Sequence, residues 1–504
     1  MSDSPSSEVL GPLAAVDMGS NSFRLEVGQL EQGQYRRIDY IKDTVRLGGG
    51  LDEEGRLSED AAARGFACLS RFGARLAGFE AWQVRAVATQ TMREASNRDE
   101  FLLRARQKLG YPIEVISGRE EARLIYSGVA HLQPSDKPRL VIDIGGRSTE
   151  LILGQGTTPR AAESFGVGSV SLSMQYFRDG RFTTDAFRAA QVAAGAEIEE
   201  SLQSFDRHLW REALGSSGTC GAVSQALAAE GITDGRITPD ALTWIVERCV
   251  AAGHVDKLEL AGMRADRRPV IGGGIAILRA LCDLLDIREL QPAKGALRQG
   301  VIIDLDARLR AARTGQAQDM RDRAVDALQQ SFSADKAQAA RVERAALALY
   351  DSIAPAPAND EWRRELRWAA ALHEIGMLVS HHDHHRHSAY LISHADASGF
   401  SQGQQQRIGA LVLGQRGGLR KVEKELGDDA FARQLLCLRL GVIAAHARGD
   451  DVHIEQWHLK LRDREAELRL EQAEPRVLHL LREEAAHWER SPALCLSLEA
   501  AGSR

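Results

Sequence analysis

Two stretches of the chain carry the same pattern of residues that could bind phosphate. Residues 13–28 and 140–154 each hold an apolar run, an aspartate, a turn rich in glycine and polar side chains, and a second apolar run. Such a turn brings backbone N–H groups together into an anion-binding concavity. The aspartates, Asp17 and Asp143, would repel a phosphate unless a hard cation such as Mg²⁺ lay between them.

The alternation in each copy predicts a β-hairpin. Alone, either copy could be an ordinary hairpin whose aspartate only satisfies the geometry of the turn. The repeat, with its aspartates in matching positions, favours two hairpins that face each other and clamp a phosphate together with a metal ion. The side chains that could donate hydrogen bonds to the same oxygens are Ser20, Asn21, Ser22, Ser148 and Thr149.

A further candidate lies at the start of a predicted helix. A strand over 113–116 leads into Ser117, and the spacing from Ser117 to Glu120 is that of a capping box. Glu120 would return to the backbone N–H of Ser117, whereas Glu121, about 100° further round the helix, would remain available. Both glutamates could equally be solvated acids in the first turn of the helix.

Four carboxylates, on Asp17, Glu121, Asp143 and Glu150, therefore stand out. Cleavage of a phosphoanhydride by water needs metal ions and donors that neutralise the phosphoryl oxygens, and a carboxylate that orients and deprotonates the water. Because no cysteine stands with a histidine in a recognisable nucleophile motif, direct attack by water is the simpler proposal.

Other segments carry weaker signals. Arg93 and Arg46 could each contact phosphate with two hydrogen bonds, although a surface or ion-paired arginine is the commoner outcome. Residues 214–219 form a third hydroxyl-rich turn after an apolar strand. Residues 270–277 predict a glycine turn, which occurs where nucleotide-binding folds pass adenosine and also wherever a strand packs closely on a helix.

Seven of the fifteen histidines lie close together in the second half of the chain. Residues 372–376 and 384–390 have the outline of an HD-type metal phosphohydrolase, but the required His-Asp pair is His373-Glu374 here. This departure favours a relic used for packing or phosphate contact over a metal site. A nearby basic run could guide a polyanion or form a solvated helix face, and it comprises Arg416, Arg420, Lys421 and Lys424.

Composition sets the broad class of the protein. A chain of 504 residues is long enough for about three or four domains. The net charge of −6 argues against nonspecific binding to nucleic-acid polymers. Six scattered cysteines without a CxxC spacing indicate a reducing compartment. Residues 1–11 form a polar leader, and no apolar run has membrane-spanning length, so we expect a cytoplasmic protein without a transmembrane segment.

The elements that must position these residues divide the chain into four parts. Residues 12–125 and 126–310 each begin with a hairpin and continue with mixed strands and helices, which predicts two layered α/β domains. Residues 311–447 have helical spacing with hardly a strand signal. Residues 448–504 predict a small α+β domain, in which a hairpin precedes a helix over 476–489 and a strand near 493–498.

Six motifs carry a specific resemblance, namely AAVDMGSNSF, ATQTMREA, VISGREEARLIY, VIDIGGRSTELILG, GSSGT and LHEIG followed by HRHSAYLI. On these motifs the chain resembles the exopolyphosphatase and guanosine pentaphosphate phosphatase family over essentially its whole length. The similarity is closest to the long exopolyphosphatases. The resemblance implies two actin-like, ribonuclease-H-type α/β domains with the active site between them, an all-helical HD-like domain and a small α+β domain.

The resemblance also implies roles for individual residues. Glu121 would be the general base, and Mg²⁺ would bind near Asp143 and Glu150, with Asp17. Phosphate would be held by Ser20, Asn21, Ser22, Arg93, Gly145, Gly146, Ser148 and Thr149. Potassium is a common activator of such enzymes. Members of this length are typically homodimers in which polyphosphate enters along basic residues between the cleft and the helical domain.

One position departs from the family pattern. The second turn usually has three glycines before the serine, and Arg147 replaces the third. An arginine there could point to the surface, add a phosphate contact, or crowd the turn if the residue needs a positive φ.

The leading functional expectation is processive removal of terminal phosphate from inorganic polyphosphate. The closest alternative is release of the 5′ γ-phosphate of guanosine pentaphosphate, and one protein could do both. Two other classes remain open: a sensor that binds polyphosphate or an alarmone without turnover, and an actin-like ATPase or kinase.

Overall fold

The computed structural model describes residues 11–314, 319–355, 360–449, 453–472 and 474–500. The predicted polar leader therefore lies outside the described residues except for Gly11. Clustering of the backbone divides the chain into two compact units, Met1–Ala317 and Gln318–Arg504.

The first unit contains two five-stranded sheets of the same topology. In the first sheet the strand order is β3-β2-β1-β4-β5, and in the second it is β8-β7-β6-β9-β10. In both sheets the first three strands of the half are antiparallel neighbours, and the fourth runs parallel to the first. The strands are β1 (Leu13–Met18), β2 (Phe23–Glu31), β3 (Gln34–Asp43), β4 (Val84–Ala88), β5 (Ile113–Val115), β6 (Arg139–Ile144), β7 (Thr149–Gln155), β8 (Thr158–Phe165), β9 (Glu212–Ser216) and β10 (Gln291–Pro292).

Both predicted hairpins are confirmed, as β1–β2 and β6–β7. Each is extended by a third antiparallel strand, β3 or β8, that the sequence reading did not identify. The helices of this unit are α1 (Glu59–Arg75), α2 (Gln90–Glu94), α3 (Arg98–Leu109), α4 (Gly118–Leu132), α5 (Ser169–Tyr176), α6 (Thr184–Ile198), α7 (Ser217–Ala229), α8 (Pro239–Ala252), α9 (Arg268–Leu284) and α10 (Leu297–Thr314).

The predicted turn at 270–277 is wrong, because these residues lie inside α9. Its glycines let the helix pack closely on its neighbours. A Cβ at Gly273 would lie 2.6 Å from the carbonyl oxygen of Ser169, and one at Gly274 would lie 2.4 Å from Cγ2 of Thr219. This close packing offsets the cost of about 1 kcal/mol that each glycine imposes inside a helix.

The two halves of this unit share a core built by α4 and α10. Leu124 of α4 and Val301 of α10 are fully buried with Ala15 of the first sheet and Val141 of the second. Strand β1 is buried along its whole length, with alternate residues facing this shared core and the separate core of the first half.

A buried ion-pair network fastens α10 to α4 and to β4. Asp304 of α10 accepts hydrogen bonds from Nη1 of Arg85 at 2.8 Å and from Nη2 of Arg123 at 2.6 Å. Arg123 also forms a bidentate pair with Glu120 on the same helix. Burial opposes ionisation of Asp304, but the positive charges of Arg308, Arg123 and Arg85 outweigh it and hold its pKa far below the usual range.

The second unit combines a helical bundle with a three-stranded sheet in the order β11-β12-β13. The C-terminal hairpin, helix and returning strand that the sequence predicted are confirmed, although residues 451 and 452 lie outside the described ranges. The elements are α11 (Met320–Ser331), α12 (Lys336–Ile353), α13 (Asp360–Leu372), α14 (His384–His394), α15 (Gln402–Gly414), α16 (Asp429–Ala444), β11 (Trp457–Arg462), β12 (Glu465–Leu470), α17 (Pro475–Glu489) and β13 (Cys495–Ala500).

Bundle and sheet in this unit form one continuous core. Arg439 of α16 is buried and donates to both carboxylate oxygens of Glu484 on α17, and the indole N–H of Trp488 donates to the same carboxylate. Across the described part of the chain, no helix is long and apolar enough to cross a membrane.

Replacing Asp304 by asparagine should lower the free energy of unfolding of the chain by about 3 kcal/mol, because it leaves two buried arginines short of a counter-charge. Chemical denaturation of the purified variant would measure this loss. Asp306→Asn is the matched control on the same helix, since its partner Arg310 is about one-third exposed, and it should cost no more than about 1 kcal/mol. Equal losses for the two variants would contradict the assigned role of the network.

Candidate functional site

A cavity of about 410 Å³ lies between the turns of the two hairpins. The turns approach closely, since a Cβ at Gly146 would lie 3.1 Å from Cβ of Ser20. The cavity brings together most of the residues singled out by the sequence. Those that line it are Asp17, Ser20, Asn21, Ser22, Glu121, Asp143, Gly145, Gly146 and Ser148.

The strand period explains why both aspartates reach this cavity. Asp17 follows Leu13 and Ala15 on the face of β1 that meets the shared core, and Asp143 follows Val141 on the corresponding face of β6. The two halves therefore aim equivalent carboxylates at each other.

Asp17 is paired with arginines. Its Oδ2 accepts a hydrogen bond from Nη1 of Arg24 at 3.0 Å and lies 3.6 Å from Nη1 of Arg298. Arg24 stands directly opposite Asp17 in the β1–β2 ladder, so the two side chains emerge on the same face. The charge of Asp17 is thus largely balanced by protein cations.

Glu121 has a different environment. Its side chain lies in the first turn of α4 and is almost fully buried, and its Oε2 accepts a hydrogen bond from Nη1 of Arg93 at 2.9 Å. Burial raises the pKa of Glu121 to about 7, against the opposing effect of Arg93. A carboxyl group with a pKa near neutrality can accept and release a proton under ordinary conditions. Ser117 caps the helix as predicted, and the carboxylate of Glu120 pairs with Arg123.

Two further carboxylates lie beside it. Asp143 and Glu150 stand opposite each other in the β6–β7 ladder. Burial raises the pKa of Asp143 to about 6, although Ser216 and Arg24 oppose the rise. Burial, followed by the charges of Glu121 and Asp143, raises the pKa of Glu150 well above its usual value.

Three predicted residues fall behind the lining of the cavity instead of on it. Arg93 was expected to hold phosphate, but it lies against Glu121 and donates to the carbonyl oxygen of Ile116 at 2.9 Å. The hydroxyl of Thr149 donates to the carbonyl oxygen of Val167 at 2.6 Å. Glu150 accepts a hydrogen bond from the hydroxyl of Ser164 at 2.8 Å.

No group of three or more His, Cys, Asp or Glu side chains among the described residues is placed to hold a metal ion. The two buried carboxyl groups of Asp143 and Glu150 would nevertheless suit a bound metal ion. Burial raises the pKa of both carboxyl groups, and the nearby positive charges of Arg24 and Arg93 do not cancel this effect, so more positive charge is needed to keep both groups ionised. A divalent cation with oxygen ligands would supply that charge. Asp17 fits this role less well, because Arg24 already neutralises it.

The sequence reading missed the basic side chains of the cavity. Seven of them face three lining carboxylates, which gives the cavity an excess of positive charge. Arg24 could have been found, since a hairpin with this turn places residue 24 opposite residue 17. The others come from segments that only the tertiary fold brings together. The seven are Arg24, Arg37, Lys42, Arg264, Arg267, Lys294 and Arg298.

Of the seven clustered histidines, His373, His384 and His385 are buried, whereas His381, His382 and His394 are exposed. His373 is buried, with Nδ1 2.7 Å from the carbonyl oxygen of Ala370. Glu374, which stands where an HD site needs aspartate, accepts a hydrogen bond from Arg448 at 2.6 Å. Burial lowers the pKa of His373 and that of His384, so both rings are neutral at pH 7. These contacts favour the relic over a metal centre.

Comparison with known proteins gives one consistent family. The model of the Ppx/GppA phosphatase family matches residues 27–309, and that of Ppx/GppA phosphatase, domain III, matches residues 320–485. The chain is 37% identical over 442 residues to a guanosine-5′-triphosphate,3′-diphosphate pyrophosphatase of Vibrio vulnificus, covering 86% of this chain and 87% of that protein. A protein of the same name from Aeromonas hydrophila is 37% identical over 432 residues, covering 84% and 85% of the two chains.

Solved structures resemble the first part of the chain. An exopolyphosphatase-like protein is 26% identical with a TM-score of 0.54, covering 60% of this chain and 99% of that one. An exopolyphosphatase from Cytophaga hutchinsonii is 22% identical with a TM-score of 0.53, covering 58% and 98% of the two chains, and it shows a shared fold.

Replacing Glu150 by glutamine should stabilise the metal-free protein at pH 8 but not at pH 4.5. A raised carboxyl pKa means that the folded state holds a proton which the unfolded state has lost, so this group makes the protein less stable as pH rises above about 4.5. We expect the gain to grow between pH 4.5 and pH 8, because over this range the unfolded state loses a proton that the folded state retains.

Urea denaturation in EDTA at the two pH values would measure the effect. Glu54→Gln is the control, because Glu54 is exposed and its replacement should change stability equally little at both. A Glu150→Gln gain that is the same at pH 4.5 and pH 8 would contradict the explanation.

Proposed function

The chain belongs to the Ppx/GppA phosphatase family and is a phosphoanhydride hydrolase, and we propose that it releases the 5′ terminal phosphate of guanosine pentaphosphate. This reverses the order of the two substrates expected from the sequence. Two curated relatives, each matching more than four-fifths of this chain, are named for the guanosine nucleotide. The observation on which the mechanism rests is Glu121, a buried carboxylate with a pKa of about 7 in a cavity lined by both hairpin turns.

In the proposed mechanism the two turns bind the terminal phosphoryl group. The backbone N–H of Gly146 and the side chains of Ser20, Asn21 and Ser148 supply donors from opposite sides, whereas the N–H of Gly145 already donates to the carbonyl oxygen of Ser148 at 2.9 Å. The side-chain nitrogen of Asn21 is buried and has no hydrogen-bond partner among the residues that the structure describes, which suits a donor to a ligand oxygen. The basic side chains of the cavity neutralise the remaining phosphates.

Glu121 in its ionised form accepts the proton of the attacking water molecule. Arg93 fixes the carboxylate in place and keeps part of the population ionised at neutral pH. Mg²⁺, which we propose is held by Asp143 and Glu150, would neutralise charge on the phosphoryl oxygens when bound. Asp17 would orient Arg24 and Arg298 toward the polyanion instead of serving as a principal metal ligand.

Inorganic polyphosphate is the second candidate substrate. The cavity's excess of basic side chains would suit phosphate groups of any polyanion, and a protein 26% identical over the first part of the chain is described as exopolyphosphatase-like.

We further propose that the chain comprises two actin-like domains, an HD-like helical domain and a small α+β domain. We also propose that potassium activates the enzyme and that it forms a homodimer.

The choice of substrate is tested by measuring phosphate release from guanosine pentaphosphate and from long-chain polyphosphate side by side. With Mg²⁺ we expect kcat/KM to be higher for the nucleotide, and with EDTA we expect release from both to stop. A higher kcat/KM for polyphosphate would instead support polyphosphate as the main substrate, as expected from the sequence. ATP-dependent transfer to an acceptor other than water would instead indicate a kinase.

Replacing Glu121 by glutamine should lower kcat by at least about 10²-fold with KM largely unchanged, because the variant loses its general base but keeps its shape. Steady-state kinetics with the nucleotide would measure both constants. Glu100→Gln, an exposed residue on α3, should match the parent. A loss below tenfold in the Glu121 variant would remove this residue from its proposed role.

A further inference from the structure

Arg147 connects the two halves of the first unit. It belongs to the turn of the second hairpin, yet its guanidinium reaches Glu94 in the first half, with Nε 2.7 Å and Nη2 2.6 Å from the same carboxylate oxygen. Its Nη1 donates to the carbonyl oxygen of Gly48 at 3.2 Å. The backbone of Arg147 does not adopt a positive φ, so the turn is not strained by this side chain.

Glycine at position 48 makes this contact possible. A Cβ at Gly48 would lie 2.8 Å from Cδ of Arg147, so the aliphatic part of the arginine packs on the bare backbone there. The arginine side chain is 22% exposed and that of Glu94 is 30% exposed. A pair this exposed contributes little to stability, so its significance lies in what it positions.

The partner of Arg147 is the last residue of α2, a helix of five residues that contacts three parts of the site. The hydroxyl of Thr91 donates to the hydroxyl of Ser20 in the first turn at 2.8 Å. Arg93 holds Glu121. Glu94 holds the second turn through Arg147. The position of α2 therefore fixes the positions of the first turn, the second turn and Glu121.

Hydrogen bonds run without a gap from Arg147 to Glu121. One oxygen of Glu94 binds Arg147 and the other accepts from the side-chain amide of Gln90 at 2.6 Å. The carbonyl oxygen of that amide accepts from Nε and Nη2 of Arg93, at 2.9 and 2.6 Å. Nη1 of Arg93 then donates to Glu121 at 2.9 Å.

We infer that Arg147 and Glu94 form a latch between the two halves of the first unit that positions Glu121 through Gln90 and Arg93. The inference rests on the proposed role of Glu121. The latch holds the second turn against the first half and at the same time fixes the guanidinium that orients the base. Binding of the phosphoryl group between the turns and placement of the base are thereby coupled.

The test compares Arg147→Gly, Glu94→Gln and the double variant in phosphate release from guanosine pentaphosphate. We expect each single variant to lower kcat about tenfold, since small displacements of a catalytic group are costly. KM should change by less than about threefold, and the melting temperature should stay close to that of the parent. The double variant should be no slower than either single one, because both remove the same latch.

Two further variants separate the latch from general damage. Arg147→Lys keeps the charge and should recover most of the lost kcat. Gln90→Leu leaves the ion pair intact but interrupts the connection to Arg93, so it should lower kcat as Arg147→Gly does. Single variants within twofold of the parent, losses that multiply in the double variant, or losses that only follow a lowered melting temperature would each overturn the inference.

Glu121→Gln in the same assay separates failure of the latch from failure of the proposed general base. If it abolishes turnover while Arg147→Gly has parental kcat, the latch is wrong and the general base stands. If Glu121→Gln retains turnover, the proposed mechanism is wrong, and the latch falls with it.

Discussion

The central constraint on this molecule is the burial of three carboxyl groups in one place. Glu121, Asp143 and Glu150 come from a helix and two strands, and burial raises the pKa of each. A fold selected only for stability would not gather such groups, because uncompensated charge in a low-dielectric interior is costly. The arrangement makes sense where a bound cation supplies the missing positive charge, and perturbed carboxyl groups of this kind cluster at functional sites.

The rest of the first unit keeps these groups together despite their repulsion. Helix α4 carries Glu121, and Arg123 on its other side joins Asp304 and Arg85 in a network where opposite charges are well matched. The buried Glu121, which destabilises the fold, and the ion-pair network of Arg123, which stabilises it, therefore lie on opposite faces of α4. The two sheets have equivalent strand registers, so Asp17 of β1 and Asp143 of β6 both point into the cavity.

Local signals made much of this architecture predictable. The hairpins were predictable because an alternating pattern with a polar turn has few other solutions, and the start of α4 was predictable because Ser117 caps it. The glycines of α9 were misread as a turn, since the sequence does not show that Ser169 and Thr219 press against them. The contacts of the functional site were harder to predict than the fold. Arg93 was predicted to hold phosphate, but its contact with Glu121 depends on how α2 meets α4, which is a tertiary relation.

The buried pair between Arg439 and Glu484 has a consequence for synthesis of the chain. Arg439 belongs to the helical bundle, but its only described carboxylate partner within salt-bridge distance is supplied 45 residues later, by α17. Until that helix has left the ribosome, the bundle would have to bury an unpaired guanidinium or leave its centre open to water. Folding of the second unit should therefore finish late in translation, and a nascent chain stalled before residue 484 would present a surface for chaperones and proteases.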